Sequence, residues 1–184
     1  MPVPLLPKEM EVFPAALFEL EPAAYPWGVA HVRSRQEKSL ARFLAQRDVP
    51  FYLPQLENRR RRSGRDFVSH LPLFPGYVFF RGGAAARDLV WRSNVAASVI
   101  DVEDQERLGE ELAQLRALQL AGASLKVVEE LVAGDVVRVS DGAFAGYRGV
   151  VERQKGHDRL VVRVSLIHKA VAVEFERRLL ARGR

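Results

Sequence analysis

The chain has 184 residues, 48% of them hydrophobic and 28% charged, which predicts a buried core and excludes wholesale disorder. Lys and Arg outnumber Asp and Glu by 28 to 23, a net charge of +5 that suits a polyanionic partner without requiring one. No cysteine is present, which excludes disulfides, thiolate metal sites and cysteine nucleophiles.

Residues 1–26 read as a proline-rich arm, with Pro2, Pro4, Pro7, Pro14, Pro22 and Pro26 opposing long regular structure. Val12, Phe13, Leu17, Phe18 and Leu20 make it too apolar for a solvated tail. An arm packed on its own domain is preferred to a docking segment for a partner. A strand follows at residues 27–32. Ser34 then stands at a helix N-cap position with Glu37 three residues on, the spacing of a capping box. Leu40, Phe43 and Leu44 form the apolar stripe of that helix, and Pro50 ends it near Arg47 or Asp48. Residues 51–56 are extended. The run Arg59-Arg60-Arg61-Arg62-Ser63-Gly64-Arg65 predicts a turn or hairpin tip. Residues 76–80 are an apolar strand, 84–93 a short helix and 97–102 another strand. Leu108, Leu112 and Leu115 lie on one stripe of a further helix. This order predicts an α+β domain over 27–118, an α/β sandwich with helices against an antiparallel sheet. Residues 119–130 show no period and read as a linker. From 131 to 180 short β-branched runs separated by Gly or Asp predict a small β-barrel.

No apolar run approaches the length of about 20 residues that a bilayer span needs. Glu9, Glu11, Glu19 and Glu21 interrupt the apolar residues of the start, unlike a secretory signal. The expectation is a soluble cytoplasmic monomer. Nothing points to an enzyme. His31, His70, His157 and His168 are scattered without metal-ligand spacing, so no metal and no cofactor is expected. No glycine-rich phosphate loop lies between a strand and a helix. Asp101, Glu103 and Asp104 suit a helix start better than a carboxylate pair.

Two stretches carry a family resemblance. Leu73-Phe74-Pro75-Gly76-Tyr77-Val78-Phe79-Phe80 resembles the Phe-Pro-Gly-Tyr segment of the NusG family's N-terminal (NGN) domain. Gly134-Asp135-Val136-Val137-Arg138-Val139 and the Asp141-Gly142-Ala143-Phe144-Ala145-Gly146-Tyr147-Arg148-Gly149-Val150-Val151 that follows resemble its KOW motif, which implies an SH3-like barrel. A KOW motif also occurs in ribosomal proteins; the two motifs together, in this order, are more specific.

The resemblance implies a bacterial transcription elongation or antitermination factor. Phe74, Pro75, Tyr77 and Phe79 would grip the clamp helices on the largest subunit of RNA polymerase. Arg33, Arg35 and Gln36, where the first strand meets the first helix, together with Arg92, would face upstream or non-template DNA, as in the specialised RfaH branch. A helix N-terminus with guanidinium groups suits phosphate. Arg61 in the arginine run is a further candidate for nucleic acid. Phe144 and Ile167 would hold the partner of the KOW domain, a ribosomal small-subunit protein or Rho. Ile167 stands where the family has an aromatic residue, which leaves that partner open. The proline-rich arm looks like a specialised paralogue rather than the housekeeping factor. The alternative is a ribosome- or RNA-binding KOW protein with no polymerase contact.

Overall fold

A computed structural model describes residues 8–62, 64–123, 125–128, 136–139, 146–154, 157–174 and 180–182. The chain divides into two compact units, Met1–Gln105 and Glu106–Arg184.

In chain order the first unit contains β1 (Val12–Phe13), β2 (Trp27–Val32), α1 (Glu37–Ala45), β3 (Phe51–Tyr52), β4 (Gln55–Arg62), β5 (Arg65–Pro72), β6 (Tyr77–Arg81), α2 (Gly83–Arg92) and β7 (Ala96–Ile100). Five strands make one sheet in the order β1-β3-β6-β2-β7, and the pairings are antiparallel. Strand β6 is central, so both its faces must be covered. Val78 and Phe80 point to one face and join Ala30 of β2, Leu40 and Leu44 of α1 and Val90 of α2 in a buried cluster. Phe79 points to the other face and packs against Tyr52 and Phe74, with ring centroids 6.3 and 6.2 Å away. This is the α+β layering expected from the sequence. Opposite Phe80 stands Gly28, where a Cβ would lie 2.5 Å from Phe80 Cζ. The missing side chain is what lets the phenyl ring lie across β2.

From residue 8 onward the arm packs on its own unit. Its β1 pairs with β3, and Leu17 is wholly buried. Phe18 meets Trp27 and Tyr52, with ring centroids at 5.9 and 5.3 Å. The Arg81 guanidinium donates to the carbonyls of Leu17 at 2.8 Å and Tyr25 at 2.6 Å. It also lies 4.9 Å from the Trp27 ring centre. A buried cation needs such acceptors. Burial pushes the Arg81 pKa below the usual arginine value.

The helix start differs from the expected capping box. Helix α1 begins at Glu37 with Gln36 at its N-cap, and no side chain caps it. Ser34 and Arg35 form a turn instead, with Arg35 at φ 63°. The Glu37 carboxylate is buried and engaged with another part of the chain.

The arginine run also differs. Arg59, Arg60, Arg61 and Arg62 belong to strand β4, which pairs with β5 from Gln55–Pro72 through to Arg62–Arg65. Cross-strand partners extend the ladder to Arg62–Arg65, and Gly64 stands at φ 74°. The hairpin is a separate two-stranded sheet. At about 3.3 Å per residue it is roughly 26 Å long. Its base is tied down by polar side chains. The Gln55 amide N–H donates to Glu11 at 2.9 Å, and Gln55 Nε2 to the Glu9 carbonyl at 3.0 Å. Lys38 Nζ donates to the His70 carbonyl at 2.7 Å.

The second unit takes most of α3 (Gln105–Leu120), then β8 (Leu125–Val128), β9 (Val136–Val139), β10 (Arg148–Gln154), β11 (His157–Val164), β12 (Lys169–Glu174) and β13 (Leu180–Arg182). The strands form one antiparallel sheet, β13-β9-β10-β11-β12-β8. Val150, Val161 and Ala172 are register partners across three strands, and all are buried. The stretch 119–130, expected as a linker, ends α3 and then supplies β8, which pairs with β12. Leu125–Val128 is short and has no visible period, but β12 offers it a ladder. Leu108, Leu112, Leu115 and Leu118 of α3 are buried as one stripe. Helix α3 holds the turn after β11: Glu111 accepts from the Ser165 N–H at 2.9 Å and from its hydroxyl at 2.6 Å. Arg107 donates to the same hydroxyl oxygen at 2.9 Å.

Candidate functional site

The loop between β5 and β6 is built around Gly76. Its φ of 87° lies in the left-handed region that glycine adopts without strain. Its N–H donates to the Glu37 carboxylate at 2.7 Å, and its carbonyl accepts from the Val32 N–H at 2.8 Å. A Cβ there would lie 3.3 Å from the His31 imidazole. The loop is therefore clamped between β2 and the start of α1. Pro75 is exposed, and Tyr77 is half-buried with its ring 5.1 Å from that of His31.

Phe74 and Phe79 do not share that surface. They are 1% and 0% exposed and meet edge to face, against the expectation that they present aromatic area. The reason is position within the sheet. Phe79 sits inboard beside β3, whereas Tyr77 opens the strand next to His31. Strand alternation groups Tyr77 with Phe79 but does not say how far the cover extends.

Arg33 and Arg35 are both exposed in the turn between β2 and α1, and Gln36 is half-buried. The Arg33 N–H bonds the Val95 carbonyl at 3.0 Å, which brings this turn beside the segment that leaves α2. Arg92, also exposed, ends that helix and pairs with Asp88 at 2.9 Å. A pair of this kind contributes little and is readily exchanged for another anion. Arg61 is exposed, but its register partner is Asp66. Arg59 forms an ion pair with Glu57, and this hydrogen bond holds the Glu57 carboxyl below the usual glutamate range.

In the second unit, Phe144 lies outside the described residues. Ile167 is 5% exposed, so it presents almost no area to solvent. It belongs to the one-turn helix Ser165–Ile167, which Glu111 and Arg107 hold from the side. The next residue, His168, is exposed and left-handed at φ 52°. Burial raises the Tyr147 pKa. Among the described residues no group of His, Asp and Glu could hold a metal ion, and no helix is long and apolar enough to cross a membrane.

The family described as transcription termination factor NusG matches residues 25–107, and the KOW motif matches residues 133–166. The chain carries a NusG-family domain followed by a KOW motif. Its domains are those of transcription elongation factors. The NusG match begins inside the arm and ends in the first turn of α3, so it takes in β2 to β7 and the Gly76 loop but not β1. Among solved structures, a NusG from Thermotoga maritima studied for its domain interaction is 18% identical; the match covers 89% of this chain and 100% of that one, with a TM-score of 0.48. A chain of the MjSpt4:Spt5 complex is 14% identical, over 84% of this chain and 95% of its own, with a TM-score of 0.28. No curated protein sequence matches significantly.

Glu37 and Gly28 are the residues that sequence reasoning misses. The spacing from Ser34 places Glu37 in a cap; its bond to Gly76 spans 39 positions and has no local signature. Gly28 sits in a strand between Trp27 and Val29, where an interior glycine signals close approach.

Proposed function

We propose that the chain acts without bond chemistry, as an elongation factor that docks on RNA polymerase through the first unit and recruits a second partner through the other. The observation that carries this is the clamped Gly76 loop. Glu37 and Val32 fix both polar groups of the Gly76 backbone, so Pro75 and Tyr77 are presented with little conformational freedom left to lose. Preorganisation of this kind favours binding. The partner surface we assign is the clamp-helix region of the polymerase, with Pro75 and Tyr77 in contact and Phe74 and Phe79 supporting them from inside. Arg33 and Arg35 would face upstream or non-template DNA, joined by Arg92. Bridging the polymerase in this way would suppress pausing or termination. The recruiting surface of the second unit is the turn of Leu166 and His168, for a ribosomal small-subunit protein or Rho. We read the chain as a specialised paralogue, whose deletion changes transcripts of few operons.

The test is capture of core RNA polymerase by the full chain, with Tyr77→Ala and Glu37→Gln beside it. Tyr77→Ala lowers capture at least tenfold with the fold intact. Glu37→Gln lowers it less, because the loop loses a charged acceptor worth about 1.5–3 kcal/mol but keeps its side chains. Equal capture by all three, with circular dichroism unchanged, moves the reading to a ribosome- or RNA-binding protein with no polymerase contact.

A further inference from the structure

We infer that one face of the β4–β5 hairpin, the face of Arg60 and Phe67, is a docking platform for single-stranded nucleic acid. The ladder sorts the side chains by register, because successive residues of a strand point to opposite faces. One face carries the pairs Glu57–His70, Arg59–Val68 and Arg61–Asp66. Its two carboxylates answer its two arginines. Glu57 is ion-paired with Arg59, and the charge of Asp66 also reaches Arg59. That face is balanced.

The opposite face carries Leu56–Leu71, Asn58–Ser69 and Arg60–Phe67. No carboxylate occupies any of these positions. Arg60 is exposed, Phe67 is 37% exposed and Leu71 is 46% exposed. A directly opposed cross-strand pair holds its Cβ atoms about 5 Å apart. Among the described residues of this face, a guanidinium with no carboxylate beside it thus stands next to an exposed aromatic ring, with polar Asn58 and Ser69 next along the ladder. The positive charge selects a polyanion. The ring selects one whose bases are unpaired, because a duplex hides their faces in its stack. Charged strand plus aromatic platform is the chemistry by which single strands are held without sequence preference. The hairpin belongs to no larger sheet, and its base is fixed by Gln55, Glu9, Glu11 and Lys38. It offers this face on a firm stem. The inference needs no polymerase and stands apart from the docking loop.

The experiment is fluorescence anisotropy of the full chain with a labelled mixed-sequence 15-nucleotide single strand, and with the 15-base-pair duplex of the same sequence. Variants are Phe67→Ala, Phe67→Trp, Arg60→Gln and Arg61→Gln, each checked for an unchanged thermal midpoint. The single strand binds more tightly than the duplex. Phe67→Ala weakens it about tenfold, within the range of one base–aromatic stack. Phe67→Trp retains binding, and the added indole is quenched by the strand, which a purely structural role would not produce. Arg60→Gln weakens binding and lowers the salt slope by about 0.7, one phosphate on a single strand. Arg61→Gln changes it less than twofold. The inference is overturned if Phe67→Ala binds within twofold of the parent, if Arg61→Gln costs as much as Arg60→Gln, if the duplex binds equally well, or if no single strand binds because the face docks protein instead.

Discussion

Strand β6 and the hairpin β4–β5 are joined by one short loop and are built from overlapping residue types, yet they end in opposite environments. In β6, Val78, Phe79 and Phe80 are all fully or almost fully buried. In the hairpin, Phe67 and Leu71 stay exposed. The difference is the number of neighbours. Strand β6 lies between β3 and β2 and is covered on both faces, whereas β4 and β5 have only each other. An aromatic residue on a strand therefore marks a core or a contact surface according to the sheet around it, not according to its own hydrophobicity. In the loop around Gly76 the exposed corner is Pro75, with Tyr77 half-buried beside it.

The sharpest way to break this contrast is to put the same change in both strands. Phe79→Asp buries a carboxylate with no partner and is expected to cost more than about 4 kcal/mol, unfolding the first unit in a thermal melt. Phe67→Asp, on the open face, is expected to stay within about 0.5 kcal/mol. Similar losses from both would show the hairpin face to be covered. Loss of polymerase binding by Phe79→Asp would then report unfolding rather than a missing contact, which is why Tyr77→Ala is the better probe.

Next in size is Arg81→Met. It keeps the aliphatic stem but takes the guanidinium donor from the Tyr25 carbonyl and leaves the Leu17 carbonyl only the Leu20 N–H at 3.5 Å. A loss of about 3 kcal/mol is expected, with earlier cleavage in the arm under limited proteolysis. Gly28→Ala follows at about 1–3 kcal/mol, because Phe80 is 2% exposed and has little room to yield. A second substitution, Phe80→Leu, should recover part of that loss in a chemical melt, since it removes the atoms that clash.

The smallest effect belongs to the balanced face of the hairpin. The Glu57 carboxyl is held low mainly by its hydrogen bond from Arg59. A depressed carboxylate contributes stability above its unfolded pKa and loses it as pH falls through the folded value. The pair is exposed, so the contribution is minor. Arg59→Ala is expected to move the Glu57 pKa upward in a carbon-detected NMR titration, with little change in melting at neutral pH. No movement would mean the ion pair is not populated in solution.

Much of the fold is legible in the sequence because it rests on periodicity. The Leu40–Leu44 stripe, the 83–92 helix and the leucines of α3 bury a repeating face, and period alone reports that. The KOW and Phe-Pro-Gly-Tyr segments are legible as motifs. What sequence does not give are the long-range single bonds. Glu37 has the spacing of a capping residue, yet its carboxylate meets Gly76. The run Arg59–Arg62 has the composition of a tip, yet β5 pairs with all of it. Residues 125–128 resemble a linker because a four-residue strand has no period of its own and exists only through β12. Composition and pattern determined which segments form helices and strands, and which family their order and spacing resemble. Tertiary structure alone decided which aromatics reach solvent and which arginines lack a carboxylate, because exposure and charge balance depend on neighbours that the chain brings together only when it folds.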